Sequence, residues 1–180
     1  MLDKTGDFGI LNLSNNVELV DDEGINVLKI NDKTSKVNLN LGLIGFDNKI
    51  SFKIKRSKNF KTDQEEEVIF SADAPYGQIA IKAKQKGSKN FGFSRELMDY
   101  TFNYELPYDK WVNIELVSEF DKDKKLAKTK LFVDGKETGG EAIGTNGSRT
   151  LDKTTGKFKD LHTFKNSSSF FIAFTIYRRW

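Results

Sequence analysis

Tyrosine residues that stand beside aspartate in turn-like segments are the first candidates for chemistry in this 180-residue chain. Tyr76 closes a segment that begins at Asp73 and includes a proline, and Tyr100 directly follows Asp99. Rigid aromatic rings stack on the apolar faces of sugars, while carboxylates and guanidinium groups bond to sugar hydroxyls or carboxylates. The predicted ligand-binding residues are therefore Asp73, Tyr76, Arg95, Asp99 and Tyr100.

Two further aromatic residues have the same character, Tyr108 beside Asp109 and the terminal Trp180. Other aromatics are predicted to serve packing. Trp111 opens an apolar alternation and is expected in the core, and alternate aromatics between residues 93 and 104 are expected to point into a sheet interior.

Catalysis is not predicted. A glycosidase needs two carboxylates about 5–10 Å apart in a cleft, but many of the 26 acidic residues fall in turn-like runs such as 21–23 and 65–67. The chain has one histidine, His162, and no Gly-x-Ser-x-Gly segment, so a nucleophilic triad and a histidine metal site are excluded.

A structural calcium ion stays open as an alternative, because aspartate and backbone oxygens are sufficient ligands. The candidates are Asp21, Asp22, Asp121 and Asp123. Nucleic-acid binding is not predicted, since Lys82, Lys84, Lys86 and Lys89 are better explained as protection of a strand edge.

Composition bounds the class of protein. The length fits a single domain, residues 1–180, with 29 basic and 26 acidic residues spread along it for a formal charge of +3. No cysteine is present, which excludes disulfides and thiolate metal sites. No apolar run is long enough for a membrane helix. The first residues lack the pattern of a signal peptide, so any export signal is expected outside this chain.

The elements that position these residues are strands. Apolar and polar residues alternate through most of the chain, most regularly over residues 48–56, and no sustained helical period appears. Asp134 followed by Gly135 predicts a tight hairpin. We also expect a hairpin between residues 25–30 and 37–41, and an irregular loop over residues 139–156. Roughly a dozen short strands predict an all-β, two-sheet antiparallel β-sandwich of jelly-roll type.

Three segments carry a family resemblance: GFSRE at residues 92–96, FNYELP at 102–107, and a strand opened by Trp111 that leads to KLFVDGK at 130–136. The last resembles the hairpin of concanavalin A-like, laminin-G-type domains. Together they are similar to jelly-roll modules appended to bacterial β-N-acetylhexosaminidases, lacto-N-biosidases and endo-α-N-acetylgalactosaminidases. The similarity is best over residues 50–138. The C-terminal strand departs from the family pattern, since no Gly-x-Ile-Asp run follows Ile172.

The resemblance implies a non-catalytic carbohydrate-binding or accessory module of a secreted, extracellular glycoside hydrolase. The implied partners are glycans that contain GalNAc, GlcNAc or galactose, and neighbouring domains of a parent enzyme. Two alternatives stay open: a structural spacer or protein-interaction domain without a sugar site, and a glycosidase or lyase on the same fold.

Overall fold

A computed structural model describes most of the chain. The described residues are 9–13, 16–30, 36–40, 44–45, 48–58, 66–74, 77–85, 87–95, 98–121, 123, 126–145, 157–158, 162–165 and 170–178. These residues form strands and turns without a helix, and none of them belongs to a helix long and apolar enough to cross a membrane.

The strands follow one another along the chain. They are β1 (Gly9–Leu13), β2 (Val17–Asp22), β3 (Ile25–Ile30), β4 (Lys36–Asn40), β5 (Ile44–Gly45), β6 (Asn48–Arg56), β7 (Glu67–Ala74), β8 (Gly77–Lys84), β9 (Gly92–Arg95), β10 (Met98–Thr101), β11 (Trp111–Asp121), β12 (Leu126–Val133), β13 (Lys136–Thr145), β14 (Lys157–Phe158), β15 (His162–Lys165) and β16 (Phe170–Arg178).

Two seven-stranded antiparallel sheets make up the fold, which confirms the predicted β-sandwich. Sheet A has the order β1-β4-β15-β7-β8-β9-β10, and sheet B has the order β13-β12-β11-β6-β16-β3-β2. A short pair, β14 with β5, stands apart from both. The predicted hairpin at Asp134 and Gly135 is present between β12 and β13, with φ angles of 49° and 79° that match a tight two-residue turn.

The alternation of side-chain direction along each strand explains which residues form the core. On β11, Val112, Ile114 and Leu116 are buried, while the intervening residues lie on the outer face of sheet B. They join one apolar cluster with residues of sheet A such as Ile69 and Ile81. The cluster therefore lies between the two sheets, and its burial is the main apolar contribution to stability.

Arg56 and Glu67 form a buried ion pair that links the two sheets. Arg56 ends β6 of sheet B and Glu67 begins β7 of sheet A, and they are 4% and 3% exposed. Arg56 Nε and Nη2 donate to the two Glu67 carboxylate oxygens at 2.9 and 2.6 Å. Arg56 Nη1 donates to the Leu106 carbonyl at 3.3 Å. Three of the guanidinium N–H groups thus have acceptors, which is the condition for burying such a pair without a large penalty.

Three sequence-based predictions are wrong in detail. Strands β3 and β4 belong to different sheets, so the expected hairpin between them is absent. Strand β13 extends to Thr145, well into the expected loop, because Gly139 and Gly140 take positive φ angles that let the ladder continue past an irregularity. Glu67 is a buried strand residue, not part of an acidic turn.

We predict that breaking the buried ion pair is costly. The substitution Glu67→Gln leaves the Arg56 charge buried without its carboxylate, so the free energy of unfolding should fall by about 3–5 kcal/mol. The combined change Arg56→Met with Glu67→Leu removes both charges and should regain most of that loss. Urea denaturation of the natural protein, the Glu67→Gln variant and the double variant measures these free energies of unfolding.

A matched control is Glu18→Gln, which breaks the exposed Glu18–Lys29 pair (3.2 Å) and should cost about 1 kcal/mol or less. If Glu67→Gln costs no more than Glu18→Gln, the buried pair does not stabilise the sandwich.

Candidate functional site

Three of the five predicted ligand-binding residues, Asp73, Arg95 and Asp99, lie near one end of sheet A, which we call the hairpin end. Asp73 is registered with Gln78 on β7 and β8, and Arg95 with Met98 on β9 and β10. Antiparallel neighbours alternate in direction, so the β7–β8 and β9–β10 connections leave the sheet at the same end. Asp99 is registered with Ser94, one step inside that end. Tyr76 belongs to the β7–β8 connection and lies outside the described residues.

Tyr100, the fifth predicted residue, is half-buried and packs against the core cluster. The buried Gln85 side chain fixes its strand, because Gln85 Nε2 donates to the Tyr100 carbonyl at 3.1 Å. Residue 92 has to be glycine for this contact, since a Cβ there would lie 2.1 Å from the Gln85 side chain. The structure thus gives Tyr100 a packing position, and a role in ligand binding stays a prediction.

At the opposite end of the sandwich, Tyr108 forms a rigid aromatic surface over the buried ion pair. The Arg56 guanidinium lies 3.9 Å from the centre of the Tyr108 ring, and the residue remains 37% exposed. The backbone holds it too: Arg56 and Tyr108 form an isolated parallel bridge, and the Asp109 N–H donates to the Arg56 carbonyl at 2.6 Å. The ring is therefore fixed by a cation that is itself held on the other side by a carboxylate.

Polar groups flank this ring. Asp109 Oδ1 accepts a hydrogen bond from the Lys58 N–H at 3.0 Å, and Lys58 Nζ lies 3.6 Å from Asp109 Oδ2. Both side chains are more than half exposed, at 69% for Lys58 and 51% for Asp109. We call Arg56, Lys58, Tyr108 and Asp109 the Tyr108 corner. It combines an aromatic face with a carboxylate and an ammonium group that solvent molecules or ligands can reach.

The Tyr108 hydroxyl stays protonated in this setting. Burial raises its pKa, the neighbouring Arg56 cation lowers it, and the carboxylates of Glu67 and Glu105 raise it further, with a net rise. A neutral phenol can both donate and accept a hydrogen bond. It can therefore bond to a sugar hydroxyl in either sense.

Trp111 lies outside the core, contrary to the sequence-based expectation. It precedes the buried Val112, so it falls on the outer face of sheet B, where it is half-buried. Its Nε1 donates to Asp22 Oδ2 at 2.8 Å, and the Lys55 ammonium lies 5.3 Å from its ring centre while also donating to Asp22. Trp111 thus ties the β2–β3 hairpin to β6 and β11.

The charges of this cluster stabilise one another. The hydrogen bond from Lys55 holds the pKa of Asp22 below its usual value, against burial and with help from Trp111. Burial disfavours the Lys55 charge, but bonds and attraction from Asp22, with Glu23 adding to them, outweigh it and raise the Lys55 pKa. The cluster is an internally paired structural feature of the outer face.

The candidate calcium ligands make protein contacts. Asp21 Oδ1 accepts from the Gly24 N–H at 3.1 Å, and Asp121 Oδ1 accepts from the Asp123 N–H at 3.0 Å. Within the described part of the chain, no three histidine, cysteine or acidic side chains are grouped as a metal site would require. A calcium site stays a prediction.

Arg56 and Glu67, which support Tyr108, are not among the ligand-binding residues predicted from the sequence. A signal was present, because Arg56 continues the inward positions of Phe52 and Ile54 on the same strand. A charged residue at an inward position requires a partner. The identity of that partner, on the other sheet, depends on how the sheets pack.

No protein-family model matches this sequence, and no curated protein matches it either. Solved structures do resemble it. The binding domain of botulinum neurotoxin serotype D has a TM-score of 0.64 and 15% identity, over 96% of this chain and 44% of that one. A structure titled "Cell entry of botulinum neurotoxin type C is dependent upon interaction with two ganglioside molecules" has a TM-score of 0.64 and 14% identity, over 96% and 43%.

The endo-β-1,4-glucuronan lyase of the fungus Trichoderma reesei has a TM-score of 0.64 and 12% identity, over 93% of this chain and 90% of the lyase. This chain thus spans less than half of the neurotoxin chains but nearly the whole lyase. At these identities the likeness establishes a shared β-sandwich fold and nothing more.

We predict that Asp22 stabilises the fold only in its charged form. Its folded-state pKa lies below the ordinary 3.8, so its contribution is present above that value and is lost as pH falls through the folded-state pKa. The variant Asp22→Asn should therefore be less stable than the natural protein at neutral pH, by about 1 kcal/mol. The deficit should shrink when the pH is lowered from neutral to below 3.8. Urea denaturation at both pH values measures it, and an equal deficit at both would contradict the assignment.

Proposed function

We propose that this chain is a non-catalytic carbohydrate-binding or accessory module. The observation that carries the proposal is the Tyr108 corner, a partly exposed ring fixed by a buried cation and flanked by Asp109 and Lys58. A pyranose presents C–H groups on its faces and hydroxyls at its rim, so it is complementary to this combination. Because the ring is already fixed, little side-chain entropy is lost on binding.

The biological setting belongs to the same proposal. A module that binds host-type glycans and is joined to a secreted bacterial glycoside hydrolase would raise the local concentration of substrate around its catalytic domain. The sequence resemblance to such appended modules supports this setting, with GalNAc, GlcNAc or galactose as the terminal sugars. The dependence of botulinum neurotoxin type C on ganglioside molecules for cell entry is consistent with glycan recognition on this fold.

A second candidate, a polysaccharide lyase, is favoured by one observation, the near-complete coverage of the glucuronan lyase. A lyase removes the proton at C5 of a uronate and expels the C4 oxygen, which leaves a C4–C5 double bond. Incubation of the chain with glucuronan, followed by ultraviolet absorbance, detects that product. Steady formation of unsaturated ends would replace the binding proposal with catalysis.

We predict that Tyr108→Ala weakens glycan binding at least about tenfold, the loss of about 1.4 kcal/mol. Tyr108→Phe keeps the aromatic ring, so its loss of glycan affinity should be smaller than that of Tyr108→Ala. The measurement is a glycan array that includes GalNAc-, GlcNAc- and galactose-terminated glycans, run with calcium and with chelator, followed by calorimetry on any glycan bound. Lys49→Gln, which lies near the opposite end of β6 from Arg56 and pairs with Glu115, is the control and should bind normally.

An array without any signal from folded protein would overturn the carbohydrate proposal and leave the spacer or protein-interaction alternative. A signal lost only with chelator would add a calcium ion to the binding site. A glycan that binds equally well to the natural protein and to Tyr108→Ala would move the site away from the Tyr108 corner.

The hairpin end is tested separately. If the sequence-predicted residues also contact glycan, Tyr76→Ala and Arg95→Met should each lower affinity several-fold without changing the free energy of unfolding by more than about 0.5 kcal/mol. Glu119→Gln, an exposed position on β11, is the surface control. Unchanged calorimetric affinity in both variants would remove the hairpin end from the binding site.

A further inference from the structure

Strand β2 differs from the other strands that end the two sheets. Strand β1 has an irregular register at Ile10 and Asn12, and β10 has only four residues. Strand β13 has an irregular register with β12, and the Asn103 N–H donates to its Gly139 carbonyl. These are devices that prevent an edge from pairing with another chain.

Strand β2 has none of them. Its six residues pair with β3 in an unbroken register from Val17 with Ile30 to Asp22 with Ile25. It contains no proline, glycine or lysine. Among the residues that the structure describes, no strand pairs with its other side. The strand therefore presents a regular row of backbone donors and acceptors.

The centre of this edge is apolar. Leu19 is 60% exposed, more than any other large apolar side chain in the described part of the chain. Its neighbour two positions earlier, Val17, packs against the core. An exposed leucine in the middle of an edge that has no bulge, proline or covering segment among the described residues is a suitable contact for the side chain of an added strand.

The surroundings of the edge are acidic, although the whole chain carries a formal charge of +3. Four carboxylates occur at Glu18, Asp21, Asp22 and Glu23. Two ammonium groups pair with them, Lys29 with Glu18 and Lys55 with Asp22 and Glu23. Glu18 and Glu23 remain 52% and 68% exposed. A net negative charge is therefore left along the edge and attracts a basic segment.

A second copy of the chain fits this edge poorly. Antiparallel self-pairing centred on Val20 would place Glu18 directly opposite Asp22 of the other copy, and self-pairing centred on Leu19 would bring the same acidic edge of the two copies together. Like charges directly opposite each other destabilise a pair of strands. Charge thus selects a basic partner over self-association.

We propose that β2 binds an extended polypeptide segment rich in lysine or arginine, which adds to sheet B as an eighth strand and places an apolar side chain against Leu19. This interaction surface is independent of the sugar-binding proposal. It gives the module a way to attach to a basic linker or partner through backbone hydrogen bonds.

The probe is a synthetic capped peptide of alternating lysine and valine, titrated into the ¹⁵N-labelled full chain and followed by amide chemical shifts. Residues 17–22 should shift, and Leu19→Lys and Glu18→Lys should each weaken binding at least tenfold. Glu137→Lys makes the same charge change on β13 and should bind the peptide normally. Thermal melting of every variant checks that it is folded.

A peptide with glutamate in place of lysine, and one with a central proline, should not bind. Shifts confined to other strands, or equal affinity of the Glu18→Lys and Glu137→Lys variants, would overturn the proposal. So would sedimentation equilibrium showing a dimer of the natural chain that Leu19→Lys dissociates, because the edge would then bind a second copy.

Discussion

The buried ion pair between Arg56 and Glu67 is the interaction on which the end of the sandwich depends. Hydrophobic burial holds the two sheets together, but it is a non-directional interaction. It therefore does not fix the position of the end of one sheet relative to the end of the other. A two-point bond between a guanidinium and a carboxylate is directional, and here its partners come from different sheets. It sets the position of β6 relative to β7 at the point where the apolar cluster ends.

The Arg56 guanidinium also contacts the surface residue Tyr108, so the buried ion pair influences the position of an exposed ring. One side chain bonds to Glu67 and the Leu106 carbonyl, and lies under the Tyr108 ring. The ring therefore has a fixed position although it belongs to a segment without regular structure. The Asp109 backbone bond to Arg56 adds a second attachment, at the cost of a positive φ of 53° at Asp109. Rigid support of an exposed ring is the physical basis of the proposed sugar site.

Much of the fold could be predicted because its determinants are local. The alternation over residues 48–56 and 112–116 identifies strands and their buried faces, and Asp134 with Gly135 identifies a hairpin, each from a few adjacent residues. The pairing of β3 with β16, and the placement of β4 in the other sheet, depend on contacts between distant segments. No local pattern contains that information.

The candidate site shows the same division. Tyr108 beside Asp109 could be identified from residue type, but the support from Arg56 and Glu67 could not, because it crosses between sheets. The position of Trp111 at the start of an apolar alternation predicts that it lies in the core. The alternation with Val112 in fact puts it on the outer face, where a carboxylate and an ammonium group satisfy it. A large aromatic residue is often buried, but the alternation of side chains along β11 determines the face on which Trp111 lies.

The most direct test of the account is a double-mutant cycle on glycan affinity with Glu67→Gln and Tyr108→Ala, measured by calorimetry under conditions where all four proteins are folded. Glu67 is buried and bonds to Arg56, which lies beneath the Tyr108 ring, so its effect on affinity is expected to pass through the position of that ring. If Glu67 positions Tyr108 through Arg56, Glu67→Gln weakens binding and has no further effect once Tyr108 is alanine. Folded Glu67→Gln protein that binds glycan as tightly as the natural chain would contradict it.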